Sequence, residues 1–149
     1  MGPGLRGRWA LALPGVLLAA CGGDRSLPAA CSRGPDAVRY ALRSAPGVVR
    51  VDGTGLSTCV ARASEAGELQ SVGGSLVDAA ARLSASARRH PGGAAELELG
   101  YLVGAARRGA GEEGGERSEL LRRLEQEGQS LGGDRAAYWR GVRAGRRSG

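Results

Sequence analysis

Residues 64–90 read SEAGELQSVGGSLVDAAARLSASARRH, the most strongly periodic stretch of the chain. Leu69, Val72, Leu76, Ala80, Leu83 and Ala87 recur at steps of three and four, the spacing that lines one face of an α-helix. Gly73-Gly74 falls inside the run. Each glycine costs about 1 kcal/mol relative to alanine in a helix interior. Ser75 and Asp78 just beyond it have the spacing of a capping box. The expectation is a kink at the glycine pair, or two helices meeting there. His90-Pro91-Gly92-Gly93 ends the segment.

The same reading extends outward. Gly34-Pro35-Asp36 opens a helix carrying Val38, Ala41, Leu42 and Ala45, which Pro46-Gly47 stops. Val48-Val49-Arg50-Val51 is the one β-like run; it lacks an obvious partner and reads as extended linker before a turn at Asp52–Gly55. Ser57 is placed to cap a short helix holding Cys59 and Val60. Ala94 to Arg108 forms a further helix with Leu97, Tyr101, Leu102 and Val103. Residues 109–115 are a loop. Residues 117–131 place Leu120, Leu121, Leu124 and Leu131 on a long helix. Asp134 is expected to cap a last helix running to about Arg147. Short connections favour antiparallel neighbours. The fold expected is all-α: a small, up-and-down, antiparallel helical bundle over residues 35–149.

The N-terminus has a different character. Arg6 and Arg8 precede the apolar run WALALPGVLLAA (residues 9–20), which ends in Leu18-Ala19-Ala20-Cys21. A basic start, a short apolar segment and a small-residue end make a secretory signal. Twelve apolar residues rise about 18 Å as a helix, short of the roughly 30 Å hydrocarbon core. The Leu-Ala-Ala-Cys run resembles the lipobox of bacterial lipoproteins. That resemblance implies removal of residues 1–20, lipidation of Cys21 and an anchored chain on the outer face of the cell membrane. Arg6 and Arg8 are not adjacent, which favours ordinary secretion over twin-arginine export. Residues 21–34 then form a short tether. The nine residues between Cys21 and Cys31 span at most about 30 Å.

Composition bounds the rest. All 21 basic residues are arginine against 15 acids, for a net charge of +6. Abundant Ala, Gly and Arg resembles the codon bias of a GC-rich genome, so arginine richness argues little for nucleic acid, and export argues against it. Few large apolar side chains make a thin core. Cys31 and Cys59 remain once Cys21 is lipidated, an even number in an oxidising compartment. They are expected to form a disulfide, whose loop closure stabilises by about 3–4 kcal/mol.

Motifs for chemistry are sparse. His90 is the one histidine, and its place beside Pro91 reads as a helix end rather than a base or metal ligand. Glu112-Glu113 reads as a solvated loop. Gly100-x-x-x-Gly104 reads as close packing against a neighbouring helix. No nucleophile elbow or phosphate loop is present, and no cofactor, metal or enzymatic role is expected. The C-terminal helix stands out, with Arg135, Arg140, Arg143, Arg146 and Arg147 and no acid. Tyr138, Trp139 and Val142 are assigned to one face, and Arg140, Arg143 and Arg147 to another. Two readings follow. Trp139 plugs the thin core and the arginines are a solvated face, or Trp139, Arg140, Arg143 and Arg147 bind an anionic surface. The expected function is that of a lipid-anchored envelope protein with a structural or protein-interaction role. The alternative is a module that binds anionic envelope polymer or lipid.

Overall fold

The computed structural model describes Met1, residues 26–111 and residues 114–149. Cys21, the leader and Glu112-Glu113 lie outside them. The described residues fold as an all-α bundle of six helices: α1 (Pro35–Leu42), α2 (Leu56–Arg62), α3 (Ala66–Arg89), α4 (Ala94–Ala110), α5 (Glu116–Gln129) and α6 (Ala136–Ser148). A short 3-10 turn at Ala29–Ser32 precedes them. Leu27 is already packed against the core, so the segment read as tether joins the domain at its C-terminal end.

α3 runs unbroken for 24 residues, so of the two expectations at Gly73-Gly74 the pair of separate helices does not occur. Leu69, Val72, Leu76, Ala80, Leu83 and Ala87 are all buried, and the continuous apolar face outweighs two glycines. Gly73 lies in the contact with α5, where a methyl group would stand 3.3 Å from Leu120. Ser75 and Asp78 do not cap. Ser75 donates to the Ser71 carbonyl, and Asp78 pairs with Arg82 one turn on. The capping box at the true N-terminus joins Glu65 and Glu68.

Within residues 48–51, read as linker, Arg50–Val51 is corrected to strand, while Val48 and Val49 stay outside it. β1 (Arg50–Val51) pairs antiparallel with β2 (Thr54–Gly55), in the register Arg50 to Gly55 and Val51 to Thr54. Asp52 and Gly53 both have positive φ, as a tight two-residue hairpin requires. Strands of two residues are too short to show alternation in sequence. Ser57 does not cap α2, whose N-cap is Gly55. It donates instead to the Gly149 carbonyl.

α4 is the centre of the molecule. Every residue from Leu99 to Ala106 is buried, as expected for a helix apolar on all sides. The Tyr101 hydroxyl accepts the Val49 N–H at 3.2 Å and lies 3.2 Å from Ser148 Oγ. Cys31 and Cys59 form a disulfide that ties the 3-10 turn to α2.

Candidate functional site

α6 carries the candidate surface, and α4 positions it. Gly100 and Gly104 of α4 face Tyr138, Val142 and Arg146, while Gly141 and Gly145 of α6 face Leu97, Tyr101 and Ala105. The numbers rise together, so the two helices run parallel, as alternate helices of an up-and-down bundle must. A methyl group at any of these four glycines would overlap backbone of the other helix. The expected close packing at Gly100-x-x-x-Gly104 is therefore present, and α6 supplies a matching Gly-x-x-x-Gly of its own.

Both ends of α6 are also held from α4. Glu96, 3% exposed, accepts the Gly92 N–H at 2.7 Å and the Tyr138 N–H at 3.2 Å. Arg108 donates to the carbonyls of Arg146 and Arg147. A carboxylate at the N-terminus and a guanidinium at the C-terminus complement the α6 dipole. Asp134 does not cap α6: the N-cap residue is Arg135, which makes no side-chain capping bond.

The faces of α6 differ from the expectation. Tyr138, 3% exposed, and Val142 are buried, but Trp139 is 43% exposed. Trp139 therefore does not plug the core; Tyr138 does, with its ring against Gly128 of α5. Burial raises the Tyr138 phenol above its ordinary pKa. Trp139 meets the Tyr138 ring edge to face at 5.1 Å, and the Arg135 guanidinium stands 5.7 Å from its centroid. Arg140, Arg143, Arg146 and Arg147 are all exposed. With Trp139 they share an arc of roughly 120° at 3.6 residues per turn. Among the described residues, none of these four arginines pairs with a carboxylate, whereas Arg82, Arg107, Arg122 and Arg123 all do. The structure thus joins the four residues expected to bind an anionic surface, Trp139, Arg140, Arg143 and Arg147, and adds Arg146.

Other candidates fall elsewhere. His90 is exposed at the end of α3. No group of His, Cys, Asp and Glu among the described residues could hold a metal, and no described helix is long and apolar enough to cross a membrane. A mostly apolar groove of about 830 Å³ runs along the α3–α5 contact, lined by Leu69, Gly73, Val77 and Leu120.

The sequence carried a signal for Trp139 that its reading passed over. Gly141 and Gly145 mark the close-contact face, as Gly100 and Gly104 do on α4. Gly141 lies roughly 160° around the helix from Trp139. Treating both glycine pairs alike puts the indole outside. Glu96 had no such signal, because nothing local shows that its partners are backbone N–H groups before the helix and at residue 138. The chain matches no protein-family model, no curated protein and no solved structure.

Proposed function

We propose that this is a lipid-anchored protein of the cell envelope, held by Cys21 on the outer face of the membrane, that grips an anionic lipid surface through α6. The observation that carries the binding reading is the exposed Trp139 amid arginines that have no acidic partner. An indole favours the headgroup region of a bilayer, and arginines favour its phosphates. The lipid gives a first attachment and the helix a second. A structural or protein-interaction role is the second reading. The apolar α3–α5 groove favours it, since such a face suits an envelope protein partner.

The anchor is tested by mass spectrometry of the membrane fraction. The N-terminal peptide is expected to begin at Cys21 and carry diacylglyceryl mass. Cleavage elsewhere, or an unchanged lipid mass on the N-terminal peptide of Cys21→Ala, would overturn it.

The surface is tested with a soluble chain beginning at Gly22 and vesicles containing phosphatidylglycerol. Binding is expected at low salt and should weaken as salt shortens the Debye length to about 8 Å at physiological strength. Replacing Arg140, Arg143 and Arg147 with Gln should abolish it. Trp139→Ala should reduce binding while changing stability by only about 0.5 kcal/mol, the scale of an exposed site. Indifference to anionic vesicles at low salt would refute the surface.

A further inference from the structure

The basic face of α6 runs into a recess at its C-terminal end. This polar recess of about 350 Å³ is lined by Arg50 of β1, Thr58 of α2, Arg108 of α4 and Arg147 of α6, with the Val48–Val49 backbone completing a wall. Three guanidinium groups from three separate elements line it, together with Ser57, Ser148 and the terminal Gly149, and no Asp or Glu side chain does. We propose that this recess binds a phosphate group.

The chemistry follows from what each arginine has left to offer. Arg147 makes no side-chain bond among the described residues. Arg50 spends one nitrogen, Nη1, on the Gly53 carbonyl at 2.9 Å, leaving Nε and Nη2. Arg108 also uses Nη1, on the Arg146 and Arg147 carbonyls. That contact has a second effect. The C-terminal end of a helix carries partial negative charge that would repel an anion, and Arg108 offsets it there. Guanidinium groups pair with phosphate oxygens in a fork geometry, so three of them suit a tetrahedral oxyanion better than a planar carboxylate. The Thr58 hydroxyl adds a neutral donor. The volume exceeds one anion and admits a phosphate ester with its alcohol.

The recess continues the α6 face, so a lipid source for the phosphate rests on the reading above; the phosphate chemistry does not. The test uses the full chain in uncharged detergent micelles. Inorganic phosphate is titrated at constant ionic strength against chloride, following the Nε signals of Arg50 and Arg147 by NMR. Saturable shifts are expected with phosphate and none with chloride. Arg50→Gln should weaken phosphate about tenfold, with an unchanged melting temperature. Arg89→Gln, exposed at the far end of α3, should leave it unchanged. Micelles doped with phosphatidylglycerol should displace inorganic phosphate, while micelles carrying the same charge as laurate should not. That result assigns the group to a lipid headgroup. Saturable phosphate binding without displacement assigns it to a soluble phosphate ester, keeps the recess and counts against its lipid source. Linear shifts, identical shifts with chloride, or full phosphate affinity in Arg50→Gln overturn the recess even if the α6 face still binds anionic vesicles.

Discussion

Gly104→Leu is expected to abolish the folded domain, and Gly104→Ala to cost about 3 kcal/mol, the upper part of the range for overpacking. Alanine is the better helix former by about 1 kcal/mol, so local preference alone predicts a gain. The contact reverses that sign. A methyl group at Gly104 meets the Val142 carbonyl and the Arg146 amide, and backbone cannot rotate aside as a side chain does. Parallel helices place their dipoles side by side, which is mildly unfavourable. Dispersion and Cα–H···O contacts at this short range outweigh it. Gly74→Ala is the matched comparison. It lies inside α3 with nothing within 4 Å of a new methyl group and should stabilise by about 1 kcal/mol. Urea unfolding of both variants gives the answer, and a Gly104→Ala protein as stable as the parent would show that the helices do not meet there.

Replacing both Cys31 and Cys59 with Ala should lower stability by about 3–4 kcal/mol. The bridge joins positions 28 residues apart in sequence. It thereby restricts the unfolded chain over α1 and the hairpin. Folded domains are stable by about 5–15 kcal/mol, so the loss is a large fraction for a thin core. Thermal unfolding with and without reductant should give the parent protein two distinct midpoints and the double variant one. A double variant within about 1 kcal/mol of the oxidised parent would refute a stabilising bridge.

Much of the fold was legible in the sequence because it rests on local pattern. The α3 stripe is fully buried, Pro35 opens α1, and the Cys31–Cys59 pairing follows from an even count. What escaped the reading depends on contacts distant in sequence. Gly73 looks like a helix breaker until Leu120 packs against it. Ser57 looks like a cap until it is seen to hold Gly149. Glu96 and Arg108 look like solvated charges until α6 lies between them. The candidate surface was half legible. Its arginines were evident, but the sequence left Trp139 between the surface and the inward place that Tyr138 occupies.

The disulfide also decides how the domain meets mechanical load. A pull at the N-terminal end reaches Cys31 and crosses the bridge to Cys59 without stretching residues 32–58. α1 and the hairpin sit inside that closed loop, shielded from tension. The force is delivered to α2, which packs against the buried α4. Rupture must therefore begin by prying α2 from the middle of the bundle rather than by peeling the outer helix α1. Under reducing conditions the same pull would unravel α1 first, at lower force, and the extension released before the core yields would lengthen by the contour of that loop.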